Sequence, residues 1–141
     1  MKGFTFFEIL IVLLILGLFL AVGFVFNYSF YQSFLLEGER ELLLNLLNKA
    51  RLEALDNLYG LPRGVYFAND YYLVFSGSNY NSRNTVYDQI YPRVKIKINS
   101  PFSEIVFNNF SATSSVSGTI ELIQGSKIKK IQINYEGLLE W

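Results

Sequence analysis

The feature that most constrains this chain is an almost unbroken apolar run near its N-terminus, from Phe4 to Phe26. The run has 23 residues and one charge, Glu8, and its last 18 residues carry none. A helix needs roughly 20 apolar residues to cross a bilayer core about 30 Å thick. Residues 4–26 are therefore predicted to form a membrane-spanning helix. Secretory signal peptides have shorter apolar stretches, roughly 7–15 residues, followed by a small-x-small cleavage site that this sequence lacks, so we expect the span to be retained.

The charges around this run predict its orientation and single out Glu8. Lys2 precedes the run and the next basic residue is Arg40, which favours a cytoplasmic N-terminus. A carboxylate inside a spanning helix costs about 2.5–3.5 kcal/mol at the centre and less near an end. Glu8 therefore either lies close to the headgroups or has a cationic partner. If the chain were cut after Gly3, the new amino terminus of Phe4 would lie about one helical turn away and could pair with Glu8 of the same chain or of a neighbour.

The residues Gly3 to Leu10, GFTFFEIL, followed at once by the apolar run, resemble the N-terminus of the type IV pilins and the related pseudopilins. The resemblance covers about the first 25 residues. It implies that residues 1–3 are a leader peptide, that a membrane peptidase cleaves after Gly3, and that the new N-terminal residue, Phe4, is methylated. It also implies that Glu8 is the acidic residue required for methylation and filament assembly.

A second helical segment is predicted to continue the first over residues 27–60. The stretch 31–58 contains no proline. Its apolar residues recur on one helical face at Leu43, Leu47, Ala50, Ala54 and Leu58. We expect this stripe to pack on a globular part, with Glu39 and Glu53 mostly off it, and we expect the helix to end at residues 59–62, which read YGLP. The first half of so long a helix cannot be buried in a small domain, so it needs lipid or other copies of itself.

The remaining residues, 61–141, follow the alternating pattern of strands. Strands are predicted at 65–68, 71–75, 94–98, 104–107, 118–123 and 128–133, with a short final strand within 135–141. Turns are expected at 69–70 and 125–126, and loops at 76–91 and 111–117. The predicted fold is α+β, with a long N-terminal helix, transmembrane in its first half, packed on a C-terminal antiparallel β-sheet domain in the manner of a pilin.

The composition argues against an enzyme. The chain has no His and no Cys, which removes the commonest general base and all thiolate chemistry. It contains no nucleophile-elbow motif and no phosphate-binding glycine loop, and its 12 acidic residues show no metal-ligand spacing. We therefore predict no catalytic residue, no metal site and no cofactor. The 12 basic residues balance the acidic ones, which argues against a protein held to nucleic acid by bulk charge.

A small basic cluster, Lys127, Lys129 and Lys130, leaves two interpretations open. Lysines on an exposed strand edge discourage edge-to-edge pairing between chains. The same three side chains would also suit a contact with an acidic partner or with DNA phosphates. Binding to DNA through them would weaken steeply with salt.

Two shorter stretches resemble a subgroup of the same family. Residues 48–54, NKARLEA, are similar to the A-R-x-E-A run of the H-type minor pseudopilins of type II secretion and of the FimT-type minor pilins. Residues 118–122 and 131–137 resemble the closing strands of that group, which end on a glycine, here Gly137. The basic residue that usually follows this glycine is replaced by Leu138, a departure that counts against DNA binding of the FimT type.

These resemblances imply a structural minor subunit of a type II secretion pseudopilus or a type IV pilus-like filament. Its partners would be other pilins or pseudopilins, the prepilin peptidase, the inner-membrane assembly platform and membrane lipid. It would cross the cytoplasmic membrane once, with the globular domain on the extracytoplasmic side, before assembly into a filament. The alternative is a DNA-binding minor pilin that acts in DNA uptake.

Overall fold

The computed structural model describes the backbone of residues 5–141 and the side chains of residues 5–21 and 29–141. These residues form one helix and eight strands in two antiparallel sheets, which confirms the predicted α+β class. The chain consists of two compact units, Met1–Phe34 and Leu35–Trp141, and both sheets lie in the second unit.

The helix, α1 (Phe6–Leu55), ends before the predicted stop at residues 59–62. The residue that closes it is Asn57, whose φ is 49°. Its N–H donates to the carbonyl of Ala54 at 3.1 Å, and the following N–H donates to the carbonyl of Glu53 at 3.1 Å. This is the Schellman arrangement, which needs a left-handed residue and accepts asparagine as well as glycine. The predicted stop was wrong because the helix closes on this asparagine and not on the glycine that follows.

The strand bounds are β1 (Arg63–Phe67), β2 (Tyr71–Ser76), β3 (Asn84–Pro92), β4 (Lys97–Asn99), β5 (Glu104–Phe107), β6 (Gly118–Gln124), β7 (Lys127–Ile133) and β8 (Leu139–Glu140). The first sheet has the order β3-β2-β1-β5 and the second β4-β6-β7-β8. The hairpins predicted around residues 69–70 and 125–126 are confirmed, since β1 pairs with β2 and β6 pairs with β7.

Two stretches differ from the sequence prediction. Residues 84–92, most of which fall in the predicted loop 76–91, form β3 instead. Their polar composition suits a loop, but pairing with β2 outweighs the weak β propensity of Asn and Asp. The predicted strand 94–98 shortens to β4, because the N–H of Ile96 turns back to the carbonyl of Val94 at 2.7 Å and takes those residues out of the ladder.

Residues 35–55 of α1 bury an apolar stripe against side chains of both sheets. Four members of the predicted stripe, Leu43, Leu47, Ala50 and Ala54, are fully buried, as predicted. Leu58 is 56% exposed because the helix has already ended. The sheets contribute Val65, Tyr72, Val74, Ile105, Phe107, Ile120, Leu122, Ile131 and Ile133 to the same cluster.

The opposite face of the first sheet is covered by the loop between β2 and β3. Tyr80 of this loop stacks on Tyr66 of β1, with ring centroids 3.9 Å apart, and meets Phe75 edge-on. The Arg83 guanidinium lies 4.0 Å above the other side of the Tyr80 ring and is fixed by Asp88 at 2.8 Å. Both faces of the Tyr80 ring are therefore occupied, so this aromatic cluster closes the sheet and has no open stacking surface on Tyr80.

Candidate functional site

The predicted assembly residue Glu8 forms part of the N-terminal cap of α1. The N–H of Glu8 donates to Thr5 Oγ1 at 3.3 Å, and the N–H of Thr5 donates to Glu8 Oε2 at 3.1 Å. The Thr5 hydroxyl donates to the same Oε2 at 3.2 Å. These reciprocal bonds are a capping box, in which the first and fourth residues each satisfy a backbone N–H of the other.

This cap gives Glu8 a role that sequence reasoning missed. A carboxylate in the first turn is favoured by the positive end of the helix dipole and by the donors of Thr5. The signal was present in the sequence, since a Ser or Thr three residues before a Glu at the start of an apolar run is the capping-box pattern. The other two predicted processing residues, Gly3 and Phe4, lie outside the described residues.

The first part of α1, up to residue 20, has an apolar and exposed surface. Large hydrophobic side chains from Phe6 to Leu20 are between 45% and 78% exposed, and those that follow, up to residue 28, lie outside the described side chains. Soluble monomers rarely expose an apolar surface of this extent. Within the part of the chain that the structure describes, no helix is both long enough and apolar enough to cross a membrane.

A buried polar cluster joins the second part of α1 to the first sheet. Glu39 is 3% exposed, and its Oε1 accepts the Tyr72 hydroxyl at 2.7 Å while Oε2 accepts the N–H of Val94 at 3.2 Å. Arg93 places its Nε 3.8 Å from Glu39 and donates to the carbonyl of Ala68 at 2.8 Å. Burial raises the pKa of Tyr72, and the hydrogen bond to Glu39 raises it further. The prediction that Glu39 lies off the buried face was wrong, because these partners compensate for the loss of water.

A second buried ion pair lies near the end of α1. Arg63 of β1 is fully buried, and its Nε donates to Glu53 at 2.7 Å while Nη1 donates to Ser76 Oγ at 2.8 Å. Glu53 also lies 3.9 Å from Lys49, which is four residues earlier on the same helix. Lys49 in turn donates to Gln89 of β3 at 2.6 Å. Glu53 was predicted to lie mostly off the packed face, and its pairing with a buried arginine corrects that.

Position 137, the end of the stretch 131–137 that resembles the closing strands of the subgroup, accepts only glycine without a steric clash. Its φ is 76°, and a Cβ atom there would lie 2.1 Å from the carbonyl oxygen of Ala112 and 3.3 Å from Arg51 Nε. The turn after β7 therefore passes close to the loop before β6. Arg51 belongs to the A-R-x-E-A run, so the two stretches that carry the subgroup resemblance meet at this glycine.

The structure gives two of the three predicted contact lysines an acidic partner. Lys129 lies 2.9 Å from Glu37 of α1, and Lys130 lies 2.9 Å from Glu121 of β6. The hydrogen bond from Lys130 is the main reason that the pKa of Glu121 is lowered. Lys127 also takes part in an interaction. All three lie in the part of β7 that pairs with β6 on one side. On the other side, β8 pairs only with the last two residues of β7, so among the described strands none covers the edge beside the lysines. This is the position of a solvated strand edge.

No group of three or more His, Cys, Asp or Glu side chains that could hold a metal ion occurs among the described residues. Comparison of the chain with models of protein families, with curated proteins and with solved structures gave no significant match.

Proposed function

We propose that this chain is a minor structural subunit of a filament of the pseudopilus or type IV pilus class, cleaved after Gly3 and assembled through its N-terminal helix. The observation that carries the proposal is the combination of an exposed apolar helix surface with one carboxylate at its start, Glu8. Such a surface is stable only in lipid or against other apolar surfaces. A membrane before assembly and a helical filament core after it supply those two environments in turn.

The geometry of the cap supports a role for Glu8 between subunits. Both hydrogen bonds from Thr5 use Oε2 of Glu8. A carboxylate has about four lone-pair sites, so Oε1 can accept a further donor without loss of the cap. In the proposed filament that donor is the methylated amino group of Phe4 of a neighbouring subunit. Pairing neutralises two charges that would each be costly to bury alone.

The remaining features of the proposal follow from the same resemblance. Residues 4–26 would hold the subunit in the cytoplasmic membrane, with the β-sheet domain on the extracytoplasmic side. The partners would be the prepilin peptidase, the assembly platform, other pilins or pseudopilins, and membrane lipid. The pilin-like arrangement of an N-terminal helix on an antiparallel β domain is part of this proposal.

The experiment separates the charge of Glu8 from its capping role. Glu8→Gln keeps the capping box, because glutamine also occupies that position in capping boxes, but removes the charge. Thr5→Val removes the cap but keeps the carboxylate. Each variant is expressed in cells that assemble the filament, and incorporation is measured in the sheared filament fraction alongside the amount in the membrane.

We expect Glu8→Gln and Glu8→Val to reach the membrane in normal amounts and to be missing from the filament. Thr5→Val is expected to be incorporated, although in smaller amount. Incorporation of both Glu8 variants at the unmodified level would refute the intersubunit pairing. If Glu8→Gln were incorporated and Thr5→Val were not, Glu8 would act only as a cap.

The alternative, a DNA-binding subunit, stays a prediction, and the structure leaves less positive charge available for it than the sequence indicated. Lys129 and Lys130 each already pair with a carboxylate, which reduces the positive charge that they offer to phosphates. Titration of the purified protein with duplex DNA at two salt concentrations tests it. Tight binding that weakens steeply with salt would favour DNA uptake over a purely structural role.

A further inference from the structure

A groove of about 570 Å³ opens in the second unit, at the ends of β1 and β4. Its volume lies in the range of about 300–1,000 Å³ that is usual for ligand sites. One wall is the β1–β2 turn, residues 67–70, and the other is the segment that leads into β4, residues 93–98. Phe67 and Phe102 supply apolar surface, and Ser100 and Ser103 supply polar surface. The groove is therefore large enough for several residues of a peptide.

Arg93 fixes the two walls relative to each other. Its side chain is 7% exposed and donates from Nη1 to the carbonyl of Ala68 in one wall and from Nη2 to the carbonyl of Ile96 in the other. Glu39 of α1 lies behind it and offsets its charge at 3.8 Å. A buried arginine held by both walls and by the helix makes this a preformed groove, which lowers the entropic cost of binding.

The charge at the mouth of the groove is unbalanced. Lys95 and Lys97 both line it, both are exposed, and neither forms an ion pair with a carboxylate among the described residues. Asp70 is the one carboxylate in the lining, and Arg93 is already offset by Glu39. The groove therefore has a net positive charge in a chain whose formal net charge is zero. This favours a ligand that carries carboxylates or other anionic groups.

The wall formed by β4 also has an open edge. β4 is the outermost strand of its sheet and pairs only with β6. An edge strand presents backbone N–H and C=O groups that another extended chain can pair with. Lys97 is the first residue of this strand and Lys95 lies in the turn just before it, so both lysines border the groove at the start of the open edge.

We propose that this groove binds an acidic, extended peptide segment of a partner protein, which pairs with the free edge of β4 and places its carboxylates on Lys95 and Lys97. Peptide is favoured over nucleic acid because a free strand edge recognises a peptide backbone and two lysines neutralise few phosphates. The proposal is independent of filament assembly, since no residue of the groove belongs to the N-terminal unit.

The test uses the full-length protein in detergent and a fluorescein-labelled peptide in which Glu alternates with Val and Thr. Anisotropy measures its binding, and a peptide with Gln in place of every Glu is the control ligand. We expect the double variant Lys95→Gln/Lys97→Gln to bind about five- to tenfold more weakly, because each exposed charge contact is worth little alone. Lys130→Gln, an exposed lysine on β7, two strands away from β4 in the same sheet, is the matched control and should leave affinity unchanged.

Two further variants and one further ligand sharpen the result. Asp70→Asn should tighten binding of the acidic peptide, since it removes the one repulsive carboxylate of the groove. A peptide with methyl groups on alternate backbone amides should bind weakly, because it cannot pair with β4. Near-UV circular dichroism confirms that each variant keeps its fold, and Glu8→Val should bind the peptide normally.

Several results would overturn the proposal. Equal binding of the Gln control peptide would remove the charge argument, and unchanged affinity of the double variant would place the site elsewhere. Full binding of the methylated peptide would exclude strand addition. Displacement of the peptide by a short oligonucleotide that binds more tightly would make the groove a nucleic-acid site.

Discussion

Replacement of Glu39 by alanine tests whether the buried polar cluster attaches α1 to the β-sheet domain. The change removes the acceptor of the Tyr72 hydroxyl and of the Val94 N–H. It also leaves the guanidinium of Arg93, which is 7% exposed, without its countercharge. Loss of one member of a buried ion pair typically costs about 3–5 kcal/mol, because the other charge stays buried and unpaired.

That cost is large relative to the stability of a small domain. Unfolding free energies are about 5–15 kcal/mol, and for domains of this size each kcal/mol shifts the melting temperature by roughly 4–8 °C. We therefore expect Glu39→Ala to lower the melting temperature of the β domain by more than about 10 °C. Glu41→Ala is the matched control, because Glu41 is exposed on the same helix, and it should change the melting temperature little.

The assay is thermal unfolding of the full-length protein in detergent, followed by near-UV circular dichroism of the tyrosines. A double-mutant cycle with Glu39→Gln and Tyr72→Phe then measures the coupling across the 2.7 Å hydrogen bond. Coupling of about 0.5–3 kcal/mol is expected for residues in one network. If Glu39→Ala melted within a degree or two of Glu41→Ala, the cluster would not attach the helix and the reasoning would be wrong.

Three other predictions concern stability. Gly137→Ala should cost about 2–4 kcal/mol, from left-handed strain plus a Cβ 2.1 Å from the Ala112 carbonyl oxygen, measured by chemical denaturation. Arg63→Met should cost about 2–4 kcal/mol by leaving Glu53 without its buried partner, and Glu53→Leu in the same chain should recover part of that loss. The pKa of Tyr72 is raised in the folded state, so the unfolded chain loses this proton first as the pH rises. The free energy of unfolding should therefore fall as pH rises above about 10. Ultraviolet absorbance should show one tyrosine that ionises only on unfolding.

The elements that follow from local pattern were predictable. The stripe at Leu43, Leu47, Ala50 and Ala54 has helical spacing, and its burial follows from that spacing alone. The hairpins likewise follow from alternation and from turn residues between strands. The capping box between Thr5 and Glu8 was also readable, since it depends on two residues three apart.

The long-range polar contacts were not predictable. Glu39 lies four residues before Leu43, so helical spacing places it in line with the buried stripe, but its partner Val94 is 55 residues away and could not be identified from the sequence. The need for glycine at position 137 depends on the approach of Ala112, which only the folded chain reveals. The same applies to the groove, whose two walls come from the β1–β2 turn and from the segment before β4.

The central claim, that this chain is a processed filament subunit, is tested most directly by the mass of its N-terminal peptide. The protein is recovered from the membrane and filament fractions of cells that make it, digested, and measured by mass spectrometry. The account predicts a peptide that begins at Phe4 and carries one methyl group on its amino nitrogen, in a protein that crosslinks to other pilins or pseudopilins. A peptide that begins at Met1 in both fractions would contradict it.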